Sequence, residues 1–164
     1  MHTRPVLRLS AVVVALVLLG ACDPADNGGG PLSKNAFIEQ AEEICATSNA
    51  RAAAVPPPSL VDPVAVERFI AEVIAIQLDA LEQLSDLEPP EDDVPGINAW
   101  LATIEETLDE MENVRKGIRD GDQVAIDRAN EAAVGLSNDA EDFAVSYGIY
   151  GCTTEEEPEV TDDQ

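Results

Sequence analysis

Few side chains in this chain can do covalent or proton-transfer chemistry: one histidine, His2, three cysteines, Cys22, Cys45 and Cys152, and 33 acidic residues. His2 lies at the extreme start, in a segment read below as a removable leader. Without it there is no Ser-His-Asp or Cys-His arrangement, no histidine general base and no histidine-containing zinc site. The di-metal helical-bundle pattern needs Glu-x-x-His on two helices, and it is absent. So are the phosphate loop G-x-x-x-x-G-K-[ST] and the dinucleotide turn G-x-G-x-x-G. Carboxylates remain. Glu105 and Glu106 stand at helical steps from Asp109 and Glu110, a spacing that turns acids toward a common point on one helix flank. Paired carboxylates also serve glycosidases, but in clefts lined with aromatics. One Trp, two Tyr and three Phe are too few for that, so the acids read as a solvated face. Asp120-Gly121-Asp122 has the opening of a calcium loop. Glu131 stands where the last ligand belongs, but Val124 and Ala125 replace the oxygen ligand and the turn glycine. A helix–helix turn fits better. No catalytic, metal-binding or cofactor-binding residue is assigned.

The thiols are more informative, beginning with Cys22. Arg4 and Arg8 precede an uncharged run from Leu9 to Ala21 that closes on small residues at Cys22. A basic start, an apolar middle and a small-residue site are the layout of a secretory signal. Leu19-Gly20-Ala21-Cys22 resembles the lipobox of bacterial lipoproteins. That resemblance implies diacylglycerol transfer to the Cys22 sulfur, cleavage before Cys22 and a mature chain held by its lipid at the outer face of the bacterial cell membrane. Two other readings stay open. An uncleaved transmembrane helix would need about 20 apolar residues, against roughly 14 between Arg8 and Asp23. Cleavage without lipid would leave Cys22 unexplained, and no A-x-A site lies just downstream.

With Cys22 lipidated in this reading, Cys45 and Cys152 remain. In an exported, oxidising setting an even pair is expected to form a disulfide. It would close a loop of roughly a hundred residues, worth up to about 4.7 kcal/mol in the chain-entropy account. The formal charge is −24, and loss of Arg4 and Arg8 with the leader would leave 7 basic against 33 acidic residues. Such a surface repels nucleic-acid phosphates and anionic headgroups. No nucleic-acid partner is expected.

The remaining chain supplies the elements that must hold the cysteines. Residues 1–21 are read as signal peptide and 22–32 as a flexible tether around Gly28-Gly29-Gly30, reaching about 15–18 Å as a coil. Residues 33–152 form the folded domain, and 153–164 an acidic tail expected to be disordered. A first helix is predicted from Ser33, its N-cap, to Ala54, with Phe37, Ala41, Ile44, Cys45, Ser48 and Ala52 on one face. Pro56-Pro57-Pro58 ends it. Asp62-Pro63 opens a second helix with a broad apolar stripe from Val66 to Leu87. Residues 88–96 read as a rigid acidic loop. Ile97, Leu101, Ile104, Leu108, Met111, Arg115 and Ile118 make a heptad seam on a third helix. Trp100 falls one step off that seam, a boundary core position. Asp122 caps a fourth helix whose inner face reads Ala125, Ala129, Ala132, Leu136, Ala140, Phe143 and Tyr147, small enough for close approach to its neighbours. Gly148 is its left-handed cap.

The fold class is therefore all-α, an up-down four-helix bundle with one disulfide. Its first and fourth helices should be antiparallel neighbours, so the segment after Gly148 must fold back along the first helix to bring Cys152 to Cys45. The frame of Phe37–Cys45 (F-I-E-Q-A-E-E-I-C), Leu84–Pro90 (L-S-D-L-E-P-P) and Tyr147–Cys152 (Y-G-I-Y-G-C) is similar to small secreted or lipid-anchored helical proteins of actinobacteria. The resemblance implies the fold and the disulfide and carries no ligand. The functional expectation is a non-catalytic, lipid-anchored binding or interaction module for a protein or small-ligand partner. The alternative is a carrier of a small ligand or divalent cation at the cell surface.

Overall fold

The computed structural model describes residues 30–153. Residues 1–21, read as a signal peptide, Cys22 and the rest of the expected tether up to residue 29, and residues 154–164 of the expected tail lie outside the described residues. Four helices run in sequence: α1 (Lys34–Ala53), α2 (Pro63–Ser85), α3 (Val94–Asp120) and α4 (Gln123–Tyr147), followed by a short 3-10 turn, η1 (Tyr150–Cys152). Among the described residues there is no strand, and no helix is long and apolar enough to cross a membrane.

The caps explain the boundaries. Ser33 Oγ accepts from the Ala36 N–H, Asp62 Oδ1 from Val64 and Ala65, and Asp122 Oδ1 from Ala125. Each satisfies an orphan donor of a first turn. Helix α3 starts three residues before the predicted Ile97, inside the stretch read as a loop. Pro95 is tolerated there because the first four helical N–H groups have no intrahelical acceptor anyway. The N-cap Asp93 makes no side-chain cap bond. Its Oδ2 instead accepts the Tyr147 hydroxyl at 2.6 Å.

The helices alternate in direction. The N-terminus of α1, the C-terminus of α2, the start of α3 and the end of α4 gather at what we call the disulfide end. Here the core cluster is Phe37, Ala41, Leu84, Ile97, Trp100, Ala144 and Ile149. Phe37, Ile97 and Ile149 are almost wholly buried, each worth about 1.5–3 kcal/mol of apolar transfer. An aromatic ladder lies beside them. Trp100 stacks on Phe143 at 5.8 Å between centroids and Phe143 on Tyr147 at 5.7 Å, and Phe37 meets Tyr147 edge-on at 6.0 Å. Lys34 Nζ sits 4.0 Å from the Tyr147 ring centroid, a cation–π contact.

Beyond α4 the chain folds back along α1, as the disulfide required. Gly148 takes φ 98°, a left-handed cap that residues with a Cβ adopt only under strain. The Tyr150 N–H donates to Glu42 Oε1 at 3.1 Å, and Asn49 Nδ2 donates to the Gly151 carbonyl at 3.2 Å. A Cβ on Gly151 would stand 3.0 Å from both Cα and the carbonyl oxygen of Glu42, so only glycine lets η1 lie this close to α1. Cys45 and Cys152 form the disulfide, with Cα atoms 4.9 Å apart.

The folded part is one residue longer at each end than the sequence reading placed it. Leu32, assigned to the tether, packs on the core, and its N–H donates to the Glu88 carbonyl at 2.7 Å. Thr153, assigned to the tail, is half-buried, with its N–H and Oγ1 both donating to the Tyr150 carbonyl.

Candidate functional site

The fourth side of the bundle does not close helix against helix. The backbones of α1 and α4 nowhere come within 8 Å, Cα to Cα, whereas α3 packs on α4, α2 on α3 and α1 on α2. Turn η1 wedges between α1 and α4 at the disulfide end. The expectation that α4's small residues bring it close to its neighbours holds toward α3 and fails toward α1. On that side they leave room. Its buried positions are Ala129, Ala133 and Ala144, a face turned slightly from the predicted one through Ala132.

The result is a cleft of about 570 Å³, within the range of small-molecule sites, about 300–1,000 Å³. Helices α2 and α3 form its floor through Val73, Ala80, Leu81, Leu84, Trp100, Ile104, Leu108 and Met111. Cys45 and Asn49 of α1 form one wall and Ser137, Ala140 and Glu141 of α4 the other. The Cys152–Thr153 end of η1 borders it toward the disulfide end.

Each wall is positioned by specific bonds. Trp100, read as a boundary residue, is 3 % exposed, and its indole N–H donates to the Ala140 carbonyl at 3.1 Å. This fixes the ring between floor and wall. Ser48, the only buried polar residue of those described, donates to Gln77 Oε1 at 3.2 Å. That bond holds the Gln77 amide at the cleft and leaves its two N–H protons available. Thr107 Oγ1 donates to the Thr103 carbonyl at 2.8 Å. Arg51 pairs with Asp79 outside the cleft, tying α1 to α2. Among the described residues no buried side-chain nitrogen or oxygen lacks a partner.

Of the residues singled out from sequence, the structure brings Cys45 and Cys152 together at the cleft's edge and sets Trp100 in its floor. It does not assemble the acids. Glu105, Glu106 and Asp109 are exposed, and Glu110 accepts from Asn113 Nδ2 at 3.1 Å. Asp120 takes Lys116 Nζ at 2.7 Å, which holds its carboxyl below the usual range. Asp122 is the α4 cap, and Gly121 between them takes φ 68°. The stretch is a helix–helix turn. Among the described residues no three His, Cys, Asp or Glu side chains group as a metal site. Asn49, Thr107, Ser137 and Glu141 were not anticipated as lining. Ser137 does lie three residues before Ala140 of the inner stripe, and Thr107 three after Ile104, so helical spacing carried a signal for both.

The cleft's lining includes no histidine, lysine or arginine. Neither an imidazole-activated nucleophile nor a Schiff base can be built from it. Its chemistry is that of an apolar trough with a polar rim and one carboxylate. Comparison with protein-family models, with curated proteins and with solved structures finds no match for this chain.

Proposed function

We propose that the protein is a lipid-anchored, extracytoplasmic and non-catalytic binding module that carries a small, largely apolar ligand in the cleft between α1 and α4. The observation that carries this reading is the cleft itself. Small α4 side chains and the η1 wedge leave room there, over a floor in which Leu84 and Trp100 belong to the core and Val73, Leu81, Ile104 and Met111 stay half-buried. A bundle that needed only stability would close that side and cover Val73, Leu81, Ile104 and Met111 completely.

The anchor is supported by Leu19-Gly20-Ala21-Cys22 and by the basic and apolar residues before it. A tether from Cys22 would join the domain at the disulfide end, where α1 begins, leaving the cleft on the flank. A second reading, docking of a protein partner, draws on Leu60, Val61 and Val64. These are 85 %, 92 % and 69 % exposed around the start of α2, at the end away from the disulfide.

A native mass spectrum of the full chain, extracted gently from the membranes of a bacterial host, tests both parts. The expected species begins at Cys22, carries a diacylglycerol mass, is two hydrogens light for one disulfide and holds a stoichiometric further mass lost on denaturation. A start at any residue other than Cys22 removes the anchor. A bare lipoprotein that also takes up no apolar probe in solution removes the carrier reading and leaves the partner surface.

A further inference from the structure

We propose that the ligand of this cleft is an uncharged amphiphile, with a hydrocarbon body on the α2–α3 floor and a hydroxyl-bearing head held by Asn49, Gln77 and Ser137. The inference rests on the small-ligand reading above and adds the ligand's chemical class.

The body follows from the floor. Leu81, Leu84, Trp100, Ile104, Leu108 and Met111 give an apolar bed. Trp100's one hydrogen-bond donor is spent on the Ala140 carbonyl, and Thr107's hydroxyl proton on its own helix. A polar group laid on that bed would lose its hydration without compensation.

The head follows from the hydrogen-bonding groups of the walls. Gln77 accepts the Ser48 hydroxyl proton at its Oε1, which fixes the amide and leaves its Nε2 protons as donors toward the cleft. Asn49, next to Ser48 on α1, spends its Nδ2 on the Gly151 carbonyl and keeps its Oδ1 as an acceptor. Across the cleft Ser137 adds a hydroxyl, which can do both. The α1–α2 side therefore presents a donor beside an acceptor. A hydroxyl answers both, because it donates and accepts. A carboxylate only accepts, and it would enter a lining without lysine, arginine or histidine on a chain of formal charge −24. A quaternary ammonium offers neither donor nor acceptor. The one carboxylate of the lining, Glu141, already has a partner within the fold, so a cation entering the cleft would shed water for no counter-charge held in readiness.

The full chain is reconstituted in vesicles of zwitterionic phosphatidylcholine and titrated at pH 7 and physiological ionic strength, where the field of the surface charges fades beyond about 8 Å. Three eight-carbon probes are used below their micelle concentrations: octyl glucoside, octyltrimethylammonium and octanoate, with empty vesicles titrated alongside. Trp100 is the only tryptophan and lies in the cleft floor, so its emission reports occupancy directly. Octyl glucoside is expected to bind at least fivefold tighter than either ion. Ser137→Ala, and separately Ser48→Ala combined with Gln77→Leu, should each weaken octyl glucoside about threefold or more, the loss of a hydrogen bond, without weakening either ion. The combined change removes donor and acceptor together, so no buried hydroxyl is stranded. Either ion binding as tightly as octyl glucoside overturns the uncharged class and leaves the cleft as a site. A preference for octyl glucoside that neither variant reduces overturns the placement of the head. If no probe moves Trp100 emission, the carrier reading fails and this inference with it. The three-probe comparison on the unsubstituted chain stands even if a variant does not fold.

Discussion

The two ends of this bundle are built by different means. At the disulfide end, four helix termini converge on Phe37, Ile97 and Ile149, the aromatic ladder backs them, and Cys45–Cys152 ties η1 to α1. Away from that cluster, Val55, Ile74, Ile76 and Leu108 are the large buried side chains, and the far end adds alanines on the inner face of α4 and a surface charge network. Arg115 donates to Glu67 Oε1 at 2.9 Å and to Glu112 at 2.5 and 2.7 Å, and Arg119 joins Glu67 at 3.1 Å. The cleft sits where one regime gives way to the other. Dense packing and a covalent tie at one end let the chain leave a side open further along without losing the fold. A closed bundle spreads its stability evenly. Here stability is concentrated, and the open stretch is left as the cleft.

The largest effect should come from the disulfide, because it secures the end that carries the load and borders the cleft. It joins residues 107 apart. Replacing both cysteines (Cys45→Ala with Cys152→Ala), or reducing the bridge, should cost about 2–4 kcal/mol of stability, read by chemical denaturation. Hydrogen exchange should speed most at the amides of Tyr150 and Cys152, which bond across to α1 and within η1. A fall confined to the far end, or an unchanged denaturation curve, would show that the ends do not divide the work this way.

The disulfide end was largely legible in the sequence. Phe37, Ala41, Cys45, Ile97, Leu101 and Ile104 lie on strict three- and four-residue steps, and Ser33, Asp62, Asp122 and Gly148 mark helix ends by side-chain or backbone chemistry that acts locally. The fold-back of η1 could be inferred only because Cys152 had to reach Cys45. The cleft was not legible. A stripe of small residues such as Ala129, Ala133 and Ala140 encodes a thin helix face, and a thin face either draws a neighbour in or leaves a gap. Which one occurs depends on where α1 stands, and that is set by η1 and the bridge, more than a hundred residues from Cys45 along the chain. Trp100, read as a boundary core position, lies deeper than that for a related reason. One step off a heptad seam it looks peripheral, but its indole is large enough to reach the core from there and bond Ala140. The early start of α3 was hidden by Pro95, which reads as a breaker unless it occupies the first turn.

A smaller effect separates the ends by pH. Burial, and then the hydrogen bond to Asp93, push the Tyr147 phenol well above its ordinary value. Its folded form therefore stays protonated where the unfolded chain begins to ionise. Stability from this group is fully present below about pH 10 and is lost as pH rises above it. Tyr147→Phe keeps the ring in the ladder and removes the hydroxyl. It should cost about 1.5–3 kcal/mol at neutral pH, the range for a hydrogen bond to a charged group. It should also flatten the alkaline limb of a stability-against-pH curve between pH 9 and 11. A variant whose alkaline limb matches that of the unsubstituted chain would show that Tyr147 does not anchor the disulfide end through Asp93.

The smallest effect belongs to the far end, and its pH dependence has the opposite sign. Hydrogen bonding to Arg115 holds the Glu112 carboxyl below its usual range. The unfolded chain therefore takes up this proton at a higher pH than the folded one. The contribution is present above the ordinary carboxylate value near 4.5 and is lost as pH falls through the lower folded value. Glu112 is nearly half exposed, so water and salt screen the pair. Glu112→Gln should cost no more than about 0.5–1 kcal/mol at pH 7, shrinking in high salt and vanishing once pH falls below the lowered folded value. The protein as a whole complicates the reading, because acid also relieves the repulsion of 33 carboxylates. The difference between variant and parent, measured at each pH, cancels that shared term and isolates the pair. A difference that exceeds the disulfide's, or that grows as pH falls, would mean that the charge network and not the core holds the far end. The division of labour between the two ends would then have to be redrawn.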